Sequence, residues 1–208
     1  MTVSPVTPRG QKLLPLLKSV QIAGGGVASP WDSWLTLRGM RTLHVRVERQ
    51  CKTALTLAEY LMEKMHQSKG DENIDSSSWM AKVAVKAVHY PGLLSHPQHD
   101  VAIRQMVLAT ASGTEPINGY GGVLSFELAD DVEATAFAGA LRVAQRATSL
   151  GGTETLVEHR ASIEPPESIV SPPGLLRVSV GLEDVNDLIR DFEEAFAIVE
   201  EVLTEAKN

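Results

Sequence analysis

The chain has 208 residues, 43% of them hydrophobic and 22% charged, with a formal net charge of −7 at pH 7. That length fits one ordinary or one large domain with a sizeable core, and the composition excludes a disordered chain. The acidic balance argues against nucleic acid or an anionic membrane as a main partner, and no apolar run approaches the roughly 20 residues that span a bilayer.

Residues 1–28 read as a short helix and a linker leading into the domain. Pro5, Pro8, Pro15 and Gly24–Gly26 punctuate one apolar stretch, Leu13 to Val20, and Pro15 is expected in the first turn of the helix there. The start lacks an apolar core followed by a cleavage site, so it does not read as a secretory signal. From Asp32 to about His66, Met40, Leu43, Val47, Cys51, Ala54, Ala58, Leu61 and Met65 recur at steps of three or four. This predicts a long amphipathic helix capped by Asp32, with Gly39 as the point inside it where a break or kink can form. Cys51 is the one cysteine and falls on the apolar face, which suits a core position and a reducing, cytoplasmic compartment.

Residues 67–79 read as a polar loop. Lys82 to Tyr90 alternates and predicts a strand, ended by Pro91-Gly92. Pro97 to Val107 predicts a helix, residues 109–119 a second loop, and Val123 to Leu128 a strand. Asp131 to Arg146 reads as a helix with Val132, Ala136, Phe137, Ala140, Leu141 and Ala144 as its stripe. Strands follow at Thr155 to His159 and Leu175 to Val180, with a Pro-rich loop between them. A final helix starts at about Asp184. The expected architecture is α/β, a roughly four-stranded sheet with helices packed on one side.

Chemistry concentrates on the last strand. Leu176, Val178 and Val180 alternate, so Arg177 and Ser179 project from the opposite face. An arginine in mid-strand is costly to bury unless paired, and its planar fork suits a carboxylate. That carboxylate is either a substrate's or an internal Glu or Asp, and both readings stand. Ser149 to Thr155 forms a Gly-Gly turn that lets backbone approach a ligand, with N–H groups and the Ser149 hydroxyl as anion donors; a plain tight turn fits as well. His96 and His99 are spaced as a metal pair, but no further Cys or His set completes a zinc site. They read as exposed residues at a helix start, and Trp31 and Trp34 as packing residues.

Five segments, in order, carry a family resemblance: Ser29-Pro-Trp-Asp-Ser-Trp-Leu with Leu37-Arg-Gly-Met-Arg-Thr-Leu; Tyr90-Pro-Gly-Leu-Leu-Ser-His-Pro-Gln-His; Gly121-Gly-Val-Leu-Ser-Phe-Glu-Leu; Ser149-Leu-Gly-Gly-Thr-Glu-Thr-Leu; and Leu176-Arg-Val-Ser-Val-Gly-Leu-Glu-Asp. The chain resembles the C-terminal part of the Cys/Met-metabolism enzymes that use pyridoxal phosphate, such as cystathionine γ-synthase and the cystathionine lyases. The resemblance implies that residues 29–208 form the C-terminal domain of a fold-type I enzyme. It implies that Arg177, Ser149 and Leu150 bind the α-carboxylate of a sulfur amino acid. It also implies carbanion chemistry on the cofactor and a homo- or hetero-oligomer with a full-length homologue.

Three departures qualify that likeness. The family's Schiff-base lysine sits in a Ser-x-Thr-Lys motif ahead of the segment matching Ser29, and the neighbours of Lys12 and Lys18 do not match it. Thr148 stands where the γ-enzymes usually carry Glu, and Arg160 stands in place of Pro in Glu-His-Pro-Ala-Ser. The expectation is a chain that carries the substrate anchor without the cofactor lysine. It would be a piece of a trans-sulfuration enzyme or, alternatively, an inactive freestanding domain that binds and modulates a full-length homologue.

Overall fold

A computed structural model describes residues 4–70, 83–108 and 117–205. The chain divides into two compact units, Met1–Leu43 and His44–Asn208.

The first unit holds helices α1 (Pro8–Ala23) and α2 (Pro30–Met40). Helix α1 starts earlier than its apolar stretch suggests, because Thr7 caps it through a bond from the Gly10 amide and Pro8 occupies its first turn. Pro15 therefore sits inside the helix, not in its first turn. Ser29, not Asp32, caps α2, accepting from the Asp32 amide at 3.1 Å. The expected single long helix is two. α2 ends at Met40 and α3 (Leu43–Gly70) begins after a gap of two residues, while Gly39 lies within α2. Trp31 and Trp34 touch each other, ring centroids 5.3 Å apart, and both stay exposed.

In the second unit α3 is followed by strand β1 (Ala87–His89), helix α4 (His99–Gln105) and the short strands β2 (Val107–Leu108) and β3 (Ile117–Asn118). Then come β4 (Val123–Glu127), α5 (Asp131–Ala140), β5 (Gln145–Arg146), β6 (Leu156–His159), β7 (Leu175–Ser179) and α6 (Val185–Glu205). The main sheet has five strands in the order β1-β4-β7-β6-β5, antiparallel except for the β5–β6 edge; β2 and β3 pair separately. All four expected strands are present, and β5 is the addition. β1 is shorter than expected; Val83 and Val85 are buried ahead of it, and Lys82 lies outside the described residues. Residues 71–79 and 109–116 of the expected loops also lie outside them. Residues 67–70 instead extend α3, and Ile117–Asn118 is strand.

The largest departure is at α5, which stops at Ala140 instead of Arg146. Asp191, buried on α6, accepts the Arg142 and Ala144 amides at 2.7 and 2.9 Å. Those amides are taken out of any helical ladder, and the chain turns into β5. At the other end Asp130 accepts from the Glu133 amide and Glu133 from the Ala129 amide, a reciprocal cap.

One face of the sheet is apolar. Leu124, Phe126, Val157, Leu176 and Val178 are buried in a cluster with Leu57 and Leu61 of α3, Phe137 of α5, and Phe192 and Phe196 of α6. Cys51 is buried in α3 as expected. Among the described residues no helix is long and apolar enough to cross a membrane.

Candidate functional site

The other face of the sheet is set by strand alternation. With Leu176 and Val178 committed to the core, Arg177 and Ser179 must face away from it. The register places Arg177 in a cross-strand row between Ser125 of β4 and Glu158 of β6.

Arg177 is bound through one nitrogen. Its Nη2 donates to the carbonyls of Thr148 and Ser149, each at 2.9 Å, and pairs with Glu158 Oε2. Nε is buried with no hydrogen-bond partner. The side chain is 19% exposed. A buried N–H without an acceptor is uncommon and asks for a reason. Here the guanidinium plane is fixed from one corner while part of its fork is left uncommitted.

The carboxylate beside it is shared. Glu158 is 2% exposed, and its Oε1 accepts from Arg160 Nη1 at 2.5 Å. Arg160 Nη2 in turn lies 3.7 Å from Glu164 Oε1. Glu164 accepts the Ser171 hydroxyl at 2.5 Å, the Val170 amide at 2.8 Å and the Ser171 amide at 3.1 Å. Those bonds, the Ser171 hydroxyl first, draw the Glu164 carboxyl down to about 2.

The turn that offers its carbonyls to Arg177 is held from several sides. Gly151 has φ +76°, a conformation glycine adopts without steric cost, and its amide donates to Ser179 Oγ at 3.0 Å. The buried Gln50 side chain on α3 donates to the Gly152 carbonyl at 2.7 Å. Beyond the turn, Glu183 accepts the Thr155 amide and hydroxyl, both at 2.7 Å.

The structure thus brings Arg177 and Ser149 together, through the Ser149 carbonyl; the Ser149 side chain is exposed, and Leu150 lies beside it, 60% exposed. The internal ion pair weighed for Arg177 exists, with Glu158 as partner. Sequence reasoning noted Arg160 only as a departure from proline and gave Glu158 and Gln50 no role in the site. Glu158 and Arg160 stand two apart at the end of a strand, a spacing that puts charges on one face, but the register that sets Glu158 against Arg177 is not a local signal.

The histidines do other work. His159 is buried with Nε2 2.5 Å from the Pro173 carbonyl and Nδ1 2.5 Å from Ser162 Oγ, so Nε2 must carry the proton and donate to the carbonyl. It pins the Pro-rich loop. His99 opens α4, half-buried, with Nδ1 2.8 Å from the Pro91 carbonyl, and His96 accepts from the Gln98 amide. Among the described residues no three His, Cys, Asp or Glu side chains converge to hold a metal.

The sequence matches the Cys/Met metabolism PLP-dependent enzymes over residues 6–197. The chain belongs to that family. It is 37% identical over 192 residues to the cystathionine beta-lyase of Coxiella burnetii, covering 86% of this chain and 41% of the relative. It is 36% identical over 181 residues to the cystathionine gamma-synthase of Mycobacterium leprae, covering 85% and 39%. Among solved structures, the cystathionine gamma-lyase of Lactobacillus plantarum complexed with L-serine superposes with a TM-score of 0.69 at 29% identity, covering 91% of this chain and 44% of that one. The chain spans about two fifths of the length of the curated relatives it matches.

The family works through pyridoxal phosphate, whose chemistry needs an amine to join its aldehyde and donors for its phosphate. The side chains bonded around Arg177 are carboxylates, hydroxyls and a second guanidinium, with no lysine among them. These residues do not fit the cofactor.

Proposed function

We propose that the chain is the C-terminal part, residues 29–208, of a trans-sulfuration enzyme of the cystathionine lyase or cystathionine γ-synthase type, with residues 1–28 leading into it. In this reading its own task is to hold the α-carboxylate of a sulfur amino acid. Pyridoxal phosphate is held by residues other than those described above. The substrate class is proposed from the relatives, which are named for cystathionine, and from the L-serine held by the Lactobacillus plantarum enzyme.

One observation carries the reading: the buried, unpartnered Nε of a guanidinium that is otherwise fixed by Thr148, Ser149 and Glu158. A carboxylate that reaches the part-exposed guanidinium forms charge-assisted bonds to it, and a small shift of the side chain brings the unpartnered Nε to the same anion. The braced turn sets the approach, because the Thr148 and Ser149 carbonyls border the guanidinium and Leu150 follows them.

The test is NMR titration of the full chain with L-serine, following the Arg177 Nε–H signal, with serinol as the control that lacks the carboxylate. L-Serine shifts the signal at millimolar concentration and serinol does not. Arg177→Ala weakens binding about ten- to hundredfold, the equivalent of about 1.5–3 kcal/mol for a charge-assisted bond. Equal response to serinol, or unchanged binding in the variant, refutes the reading.

A further inference from the structure

The pair between Arg177 and Glu158 poses an electrostatic problem for a carboxylate anchor. A buried carboxylate in direct contact already satisfies much of the guanidinium's charge, and an incoming anion is repelled by it. The neighbouring geometry answers this. Glu158 presents one oxygen to Arg177 and the other to Arg160 Nη1, at 2.5 Å. Two guanidinium groups thus share one buried carboxylate, and the row carries a net positive charge before the outlying Glu164 is counted. Glu164 lies 3.7 Å from Arg160 and is drawn instead toward Ser171 and Val170, with bonds of 2.5 to 3.1 Å. With Glu164 counted the four groups are neutral overall, but Glu164 meets Arg160 through Nη2 and leaves Nη1 to Glu158.

We infer that Arg160 is a positioning residue for the carboxylate site: by holding and neutralising Glu158 it leaves the charge of Arg177 available to a bound anion. The inference rests on the reading of Arg177 as the substrate anchor. Arg160 supplies both a charge and a hydrogen bond to Glu158. Its backbone amide bonds the Leu175 carbonyl at 3.1 Å, so the residue is tied to β7 as well as to Glu158. Arg160 is 30% exposed and reaches its partner from the rim of the site, so replacing it removes little core packing.

The experiment compares the full chain with Arg160→Gln, Arg160→Ala and Arg160→Lys by NMR titration with L-serine, with thermal unfolding of each variant alongside. Gln keeps a donor for Glu158 but no charge, whereas Lys keeps the charge. Arg160→Gln and Arg160→Ala are expected to weaken L-serine binding roughly three- to tenfold, the range of a partly exposed charge interaction. Arg160→Lys returns it to within about twofold of the parent. A merely structural role would lower the melting temperature of Gln and Lys alike and would not separate them by charge. Parent-like affinity in Arg160→Gln, or equal loss in Gln and Lys, overturns the inference while leaving Arg177 as anchor. If Arg160→Ala does not fold, the Gln and Lys pair decides alone. If the parent chain itself ignores L-serine, the reading of Arg177 fails and the inference with it.

Discussion

At the scale of single residues, placement of charge divides the polar face of the sheet into a fixed part and a titratable rim. Glu164 belongs to the rim. Its carboxyl sits at about 2, below its ordinary 4.5, because the Ser171 hydroxyl and the amides of Ser171 and Val170 bond the ionised form. The folded chain thus releases this proton more readily than the unfolded chain. Its contribution to loop order is fully present above about pH 4.5 and disappears as the pH falls toward 2. Carboxyl-detected NMR of Glu164 should show a midpoint near 2, and Ser171→Ala should move it upward. A midpoint at the ordinary value, or one unmoved by Ser171→Ala, contradicts the hydrogen-bonded arrangement.

At the scale of elements, boundaries were set by partners far along the chain, and that explains what sequence reading caught and missed. Alternation and helical spacing are local, so β4, β6, β7 and the inner faces of α3 and α6 were legible. Arg177 was legible for the same reason: with Leu176 and Val178 inward it had to face out. The end of α5 was not, since the carboxylate that takes its next amides comes from Asp191, 49 and 47 residues further on. Glu158 as the partner of Arg177 was hidden too, because only the β6–β7 register reveals it. Asp191 gives the element-scale prediction. Asp191→Ala leaves the Arg142 and Ala144 amides without their acceptor, and bonds to a charged group are worth about 1.5–3 kcal/mol each. Loss of about 2–5 kcal/mol is expected in urea unfolding, allowing for water reaching the part-buried Arg142 amide. A loss below about 0.5 kcal/mol, the scale of an unremarkable surface change, would remove Asp191 as the cause of the helix end.

At the scale of the whole molecule, the two units differ in what they bury. In His44–Asn208 four phenylalanines converge: Phe137 lies 4.7 Å from Phe196, 5.2 Å from Phe192 and 5.5 Å from Phe126, ring centroid to ring centroid. Phe137 therefore joins α5 and α6 to the sheet that carries Arg177. In Met1–Leu43, by contrast, α2 buries no residue and α1 only Gly10. Short helices without a buried face are marginal in water, so their amides should open locally, independent of global unfolding. Hydrogen exchange separates the two behaviours. Amides of β7 and α6 should be protected to the level of global stability, and Phe137→Ala should lower that protection by about 3–5 kcal/mol through lost contact and residual cavity. Amides of α1 and α2 should exchange with little protection in parent and variant alike. Protection of α1 or α2 that matches β7, and falls with it in Phe137→Ala, would mean that the first unit unfolds together with the core.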